Sequence, residues 1–244
     1  MISSAFHATV YNPLYNGLVF FIGAVPFHDV GLAVIALTIV ARVVLYPLSR
    51  RAIQAQLAMK NITPEVEELK KKHKDDREAQ SKAIFALYKE RGIHPFAGLA
   101  VVLVQFPILI GLYLVFSRGG LPEVDASLLY SFVHIPGNIN MEFLGLLDMR
   151  SHSIVLAVLT ALTQFGYTRL SMGPRSTIDP SPVESSLSGD MAKSFDMQAR
   201  YVLPVIIGVI SYSVAAAAPL YWVTSNLFMI AQEYVSGKRF GKKF

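Results

Sequence analysis

One arginine, Arg42, lies inside an apolar segment, residues 30–48, that contains no Asp or Glu to pair with it. A charge at the centre of a membrane-spanning helix costs about 2.5–3.5 kcal/mol even on insertion-based scales. Such a residue therefore needs water or hydrogen-bond acceptors at that depth. The chemistry that this setting predicts is electrostatic: a buried cation can attract and hold acidic groups.

Polar residues recur at helical spacing around Arg42 and in the other apolar segments. Thr38, Arg42 and Tyr46 are separated by four residues each, so they share one helix face. Several apolar segments thus each have one polar face. If these faces converge, they form a water-accessible groove around the arginine, and we predict such a groove. The candidate groove residues are Arg42, Thr38, Tyr46, Gln105, Thr160, Gln164, Ser225 and Gln232.

Two simpler interpretations of these residues stay open. Hydroxyl and amide side chains commonly hydrogen-bond neighbouring helices in membranes, without lining any groove. Arg42 lies six residues before the end of its segment at Leu48, so its long side chain could also reach the lipid headgroups.

Composition indicates a polytopic all-α membrane protein. The 244 residues are 53% hydrophobic and 16% charged, with a mean hydropathy of +0.44. Cysteine is absent, which excludes disulfides and thiolate metal sites. The sequence has no Walker A motif, no paired intramembrane aspartates and no histidine-rich metal motif. We therefore predict no enzymatic activity, no cofactor and no metal.

Five segments are predicted to span the membrane. A mostly apolar stretch of 37 residues, 201–237, would form a helix about 55 Å long, nearly twice the thickness of the hydrocarbon core, so it must fold back near Pro219. The five predicted spans are residues 30–48, 96–116, 153–169, 201–215 and 219–236.

The distribution of basic residues predicts the orientation. Eleven of the 22 Lys and Arg residues lie within 49–94, four within 169–200 and four after Gly237, whereas residues 1–29 have none and 118–153 have two. The positive-inside rule then places the N-terminus outside and the C-terminus in the cytoplasm. Residues 117–152 become an extracytoplasmic loop, 170–200 a cytoplasmic loop and 237–244 a basic cytoplasmic tail.

Two further segments lie outside the predicted spans. Within residues 1–29, the apolar run 18–27 is too short to cross, and the segment lacks the basic start of a signal peptide. We therefore expect an extracytoplasmic interfacial helix beginning after Pro13. Residues 49–95 combine charges with an apolar stripe and a break at Thr63 and Pro64, which predicts a cytoplasmic helical hairpin whose second helix covers residues 77–91. A solvated charged linker is the alternative for this region.

Seven short motifs in order resemble the YidC-type (YidC/Oxa/Alb) membrane protein insertases, in a short form with the five-span core only. The motifs are Asn12-Pro-Leu-Tyr-Asn16, His28-Asp-Val-Gly31, Arg42 with Tyr46-Pro-Leu48, Lys74-Asp-Asp76, Leu87-Tyr-Lys-Glu-Arg-Gly92, Gln105-Phe-Pro-Ile108 and Leu220-Tyr-Trp-Val-Thr-Ser-Asn-Leu-Phe228.

The resemblance implies an insertase and chaperone that moves short polar tails of client proteins through the groove and releases their apolar segments into the bilayer, without ATP. Its expected location is the bacterial plasma (inner) membrane. Newly made membrane proteins would be its clients, and a ribosome and a Sec translocon are candidate partners. No nucleic-acid sequence recognition is expected. The alternative function is a small-solute channel or transporter that uses the same groove.

Overall fold

The computed structural model describes residues 4–74, 76–93, 97–118, 121–172 and 197–240. Most of the predicted cytoplasmic loop and the end of the basic tail lie outside these residues. The chain divides into two compact units, one formed by Met1–Val43 with Pro107–Phe244 and the other by Val44–Phe106. Within the described residues the protein is mostly helical, as predicted.

Ten α-helices are described. They are α1 (Ser4–Phe6), α2 (Asn12–Ala24), α3 (Val30–Val44), α4 (Tyr46–Asn61), α5 (Thr63–Lys72), α6 (Arg77–Glu90), α7 (Ala97–Arg118), α8 (Ile154–Met172), α9 (Leu203–Tyr212) and α10 (Ala217–Phe240). π-Helical turns precede α2 at His7–Tyr11 and α9 at Gln198–Val202. Two short antiparallel strands, β1 (Glu142–Phe143) and β2 (Leu147–Asp148), form a hairpin with Phe143 opposite Leu147.

Helix α8 is the centre of the helical packing in the first unit. It contacts both α9 and α10, whereas α9 and α10 contact each other little. A methyl group at Gly208 of α9 would come within 2.9 Å of Ala161 Cβ on α8. This glycine therefore allows the two helices to approach closely, as small residues do between membrane helices.

The chain turns between α9 and α10 earlier than predicted. Tyr212 ends α9 and Ala217 begins α10, so Pro219 lies in the first turn of α10, where its missing N–H is not needed. The N–H groups of Ala216 and Ala217 donate to Ser151 O at 2.8 Å and Met149 O at 3.2 Å. The segment before α8 thus caps the start of α10.

The first predicted span, residues 30–48, is interrupted in the structure. Helix α3 ends at Val44 and α4 begins at Tyr46, with Pro47 in its first turn. Proline has no N–H and clashes with the carbonyl four residues earlier, so a helix reaching Val43 cannot continue through it. By length and composition, Val30–Val44 with Tyr46–Ala55 qualifies only as an interrupted apolar span.

Among the described residues, only Ile154–Met172 is long and apolar enough to cross a membrane as an uninterrupted helix. Shorter apolar helices cover Gln105–Ser117 and Gln198–Tyr212. The five spans and their orientation therefore stay predictions.

In the second unit, α5 and α6 contact each other and run antiparallel. Arg91, just after α6, pairs with Glu65 at the start of α5, with Nη2 2.8 Å from Oε2. Asp76 caps α6 by accepting from the N–H groups of Glu78 and Ala79. A helical pair therefore occupies the region where the sequence predicted one.

Residues 121–153 cover the end of the first unit at which α3, α8 and α10 begin, called here the loop end. Buried Asn16 on α2 donates to Leu128 O at 2.8 Å and accepts from the N–H of Tyr130 at 2.6 Å. The hydroxyl of Tyr15 accepts from the N–H of Asp125 at 2.8 Å, and burial raises the pKa of this tyrosine. Helix α2 thus anchors the loop.

Asp29 connects the loop end to the start of α3. Its carboxylate is 2% exposed; Oδ1 accepts from Leu32 N at 3.0 Å and Oδ2 from Leu144 N at 2.7 Å. One side chain therefore caps a helix and fixes the β-hairpin turn at Leu144 and Gly145, both of which have positive φ.

We predict that Asp29→Ala lowers the free energy of unfolding by about 2–4 kcal/mol, because a helix cap and a charge-assisted bond are lost together. Asp29→Asn should cost less than Asp29→Ala, because its amide oxygen can still accept from the N–H of Leu32. A smaller loss remains, because its NH₂ group would face the N–H of Leu144, which is also a donor. Thermal unfolding of the purified protein measures both. Asp125→Ala, which removes an exposed cap of Ser127, is the control; an equal loss there would contradict the dual role of Asp29.

Candidate functional site

The guanidinium of Arg42 is buried between α3 and α10. The residue is 6% exposed, and it lies about 18 Å along α3 from Val30 at the helical rise. Its Nε donates to Ser225 Oγ on α10 at 2.8 Å, and its Nη2 donates to the same oxygen. Ser225 is itself 1% exposed. A buried charge requires such acceptors, because its unsatisfied donors would otherwise lose their hydration without replacement.

Two tyrosines lie near this cation. Tyr221, four residues before Ser225 on α10, and Tyr167 on α8 both interact electrostatically with Arg42. Tyr167 also hydrogen-bonds Ser171 and interacts electrostatically with Glu233. Three helices, α3, α8 and α10, therefore contribute polar groups to one cluster.

The other predicted residues of the first unit lie on these same helices. Thr38 is 1% exposed and Thr160 is fully buried. Their hydroxyls donate within their own helices, to Val34 O at 2.6 Å and Leu156 O at 2.8 Å. Thr160 also reaches Pro219 O on α10 at 3.4 Å. Both hydroxyls are therefore hydrogen-bonded in this structure, and the part of these threonines in a groove stays a prediction.

The two predicted glutamines of the first unit differ in their contacts. Gln164 donates to Thr168 Oγ1 one turn further along α8, at 3.2 Å. Gln232 is 5% exposed and follows Ser225 by seven residues on α10, which keeps the two on one face. Tyr46 and Gln105 belong to the second unit, and their part in a common groove stays a prediction.

Sequence reasoning missed several polar residues of the cluster. Tyr221, Thr168, Ser171 and Asn226 were not selected, although Asn226 donates to Thr163 Oγ1 at 3.3 Å and links α10 to α8. The available signal was spacing, because Tyr221 precedes Ser225 by one helical turn. No group of three or more His, Asp or Glu residues suited to a metal occurs among the described residues.

A family model described as 60Kd inner membrane protein matches residues 21–243. The chain belongs to this family. A protein named "Membrane protein insertase YidC" from Clostridium tetani is 30% identical over 213 residues, covering 87% of this chain and 84% of the relative. A protein of the same name from Oceanobacillus iheyensis is also 30% identical, covering 85% of this chain and 74% of the relative.

Longer members of the family match over part of their length. A protein of that name from Francisella tularensis subsp. novicida is 30% identical over 84% of this chain, which spans 32% of the relative. A solved structure described as "Active YidC insertase crystal structure with the first transmembrane domain resolved" matches with a TM-score of 0.57 at 21% identity, over 91% of this chain and 45% of that one. The YidC-type resemblance drawn from the motifs is thereby confirmed, and the structural match supports the fold.

We predict that Ser225→Ala lowers the free energy of unfolding by about 1.5–3 kcal/mol, because a charged donor loses its acceptor. The neighbouring Thr224→Ala is the matched control. The Thr224 hydroxyl donates to Leu220 O of its own helix at 2.8 Å, so its loss should cost less than half as much. Unfolding of both variants in one detergent measures the difference. Equal losses would mean that Ser225 acts through packing alone.

Proposed function

We propose that this protein is a membrane protein insertase, and that the Arg42 cluster is where clients bind. The observation that carries the proposal is a buried guanidinium on α3 that hydrogen-bonds Ser225 on α10 and lies near Tyr167 on α8. Membership of the family and the printed names of its relatives support the same function. No step of it requires bond making or breaking, so no enzymatic activity, cofactor or ATP is proposed.

The proposed topology has five spans, with the N-terminus outside and the C-terminus in the cytoplasm of a bacterial plasma membrane. The placement of 19 of the 22 basic residues on one side supports it. In this arrangement the loop end faces outward and α2 lies in the outer interface. The helical pair α5 and α6 extends into the cytoplasm and receives clients, and a ribosome or a Sec translocon could deliver them there.

The polar tail of a client enters from the cytoplasmic side toward Arg42. Acidic groups in the tail are attracted by the guanidinium and take the position of the Ser225 hydroxyl. The tail thus crosses through solvated protein rather than hydrocarbon, in which every unsatisfied polar group would cost several kcal/mol. The apolar segment that follows then partitions sideways into lipid.

The exposed apolar surface of α8 and α9 supports the final, lateral step. Val155 and Val158 on α8 and Val205 and Val209 on α9 are each at least half exposed. Side chains of this type on a helix in a bilayer face lipid, so a client leaving the cluster meets an apolar boundary.

We predict that Arg42→Ala reduces insertion of acidic-tailed clients at least about tenfold, the factor equivalent to losing 1.4 kcal/mol of attraction. Arg42→Lys should keep much of the activity, since a point charge suffices. The measurement is protease protection of a single-span client in liposomes that contain the purified protein. A client with an uncharged tail is the control and should be affected much less.

Two outcomes of this assay would contradict the proposal. Equal protection by the wild type and Arg42→Ala across all acidic-tailed clients would remove the electrostatic role. Ion flux through liposomes without any client, combined with no client protection, would favour a small-solute channel instead.

Single cysteines test whether water reaches the cluster, and the cysteine-free sequence makes the labelling unambiguous. We predict that Thr38→Cys, Gln105→Cys, Gln164→Cys and Gln232→Cys react with a water-soluble maleimide from the cytoplasmic side. Their rates should be below that of Lys74→Cys in the exposed turn after α5. Val209→Cys on the lipid-facing side of α9 is the negative control. If all four behave like Val209→Cys, the cluster is dry and only holds helices together.

A further inference from the structure

A second polar site lies at the loop end of the first unit, away from Arg42. It is a pocket of about 240 Å³ between the end of α7, the segment before α8 and the turn from α9 to α10. Its lining comprises Tyr113, Phe116, Ser117, Arg150, His152, Ser213, Val214, Ala215 and Ala218. The proposed client path does not use any of these residues.

The pocket coincides with an exception in the charge pattern. Residues 118–153 contain two basic residues, Arg118 and Arg150, although the positive-inside rule disfavours cations on that side. Arg150 lines the pocket. One of the two basic residues of this segment therefore belongs to the pocket.

Arg150 pairs with the carboxylate of Asp148. Its Nε lies 3.2 Å from Asp148 Oδ1 and its Nη2 3.0 Å from Oδ2, and its backbone N–H also donates to Oδ1 at 2.8 Å. These bonds lower the pKa of Asp148, so the carboxylate is ionised at neutral pH. They use one edge of the guanidinium, and the Nη1 edge remains to donate to a ligand.

The backbone around Arg150 is tied down on both sides. Met149 is fully buried, and its N–H donates to Met141 O at 2.9 Å. Ser151 donates from its N–H and its hydroxyl to Asp148 O, and its own carbonyl accepts from Ala216 N at the start of α10. A ligand at Arg150 therefore meets a preorganised site, which reduces the entropy cost of binding.

The other side of the pocket is apolar and continues onto the lipid-facing surface. Tyr113 on α7 is half exposed, and the ring of His152 lies 6.2 Å from that of Tyr212 on α9. Ile154, the first residue of α8, is 67% exposed. Aromatic rings at the end of apolar helices are typical of the membrane interface. The site thus combines a cation paired with Asp148 and an apolar wall.

We propose that this pocket binds the phosphate group of an anionic phospholipid, with the start of an acyl chain against Tyr113 and Phe116. Arginine suits phosphate because its planar fork can donate two parallel hydrogen bonds. The continuous apolar wall favours a lipid over an acidic peptide, which would need further polar partners for its backbone. That the lipid belongs to the outer leaflet rests on the proposed topology; the binding itself does not.

The test measures phosphatidylglycerol retained by the purified full-length chain, using native mass spectrometry after exchange into nanodiscs with phosphatidylglycerol and phosphatidylcholine. Arg150→Gln should reduce retained phosphatidylglycerol about fivefold, as expected for one interfacial cation. Arg91→Gln is the matched control, because Arg91 is also about half exposed and paired with a carboxylate, at 2.8 Å. It should retain phosphatidylglycerol as the wild type does.

Further arms separate the sources of the anion. Inorganic phosphate in excess should leave the retained phosphatidylglycerol unchanged, because the acyl chain contributes to binding. Displacement of the lipid by inorganic phosphate would mean a site for free phosphate and would overturn the proposal. Displacement by an aspartate-rich peptide would mean a peptide site and would overturn the proposal. Retention equal in Arg150→Gln and wild type would also overturn it.

A further variant covers a failure of Arg150→Gln to fold, which thermal unfolding would reveal. Arg150→Lys keeps the charge but not the fork of the guanidinium, and it should show an intermediate loss of phosphatidylglycerol. Retention in Arg150→Lys equal to that of the wild type would overturn the proposal. Because no client is present, this failure would leave the proposed insertase function untouched.

Discussion

The buried guanidinium of Arg42 constrains the arrangement of the helices around it. Its donors need acceptors that the apolar α3 cannot supply, so a residue of another helix must lie within hydrogen-bond distance. Ser225 on α10 meets this requirement, and Tyr221 and Tyr167 add electrostatic contacts from α10 and α8. Helix α8 in turn packs against α9 and α10. The loop end fixes α3, α8 and α10 only where these helices begin. The charge of Arg42 couples their positions further along the chain.

The first unit has an apolar part and a polar part along the same helices. The buried apolar cluster includes α3 only as far as Leu37, α8 at Leu156 and α10 as far as Tyr221. The buried polar residues Thr38, Thr160 and Ser225 follow immediately on each helix. The loop end is therefore stabilised by apolar packing and by the bonds of Asp29 and Asn16. Beyond the loop end, buried polar side chains occur together with buried apolar ones such as Val223 and Met229 on α10.

The sequence predicted most helices to within a few residues because apolar runs and breakers are local signals. Pro64 and Gly92 bound the α5–α6 region, and the observed α6 ends one residue before the predicted limit of 91. The break between α3 and α4 was missed because an apolar run was weighed above Pro47, whose effect on the helix is also local. The pairing of Arg42 with Ser225 could not be derived, since 183 residues separate them and helix spacing does not specify which helices adjoin. Spacing did select both residues.

The chemistry of the Arg42 contact suits the client site proposed above. A neutral hydroxyl is a weaker acceptor for a guanidinium than a carboxylate is, and it cannot pair with the fork through two oxygens as a carboxylate does. An acidic group arriving from a client would therefore displace Ser225 at a net gain, and Ser225 would take its place again on departure. Arg42 would have an acceptor before and after, so neither step would leave its charge without a partner. A permanent carboxylate in the position of Ser225 would compete with the client and slow this exchange. Burial of the contact opposes this exchange, because a client can reach Arg42 only if the interface between α3 and α10 opens, which costs packing energy. The strength with which a tail is held depends on the balance between this cost and the stronger bond to the carboxylate.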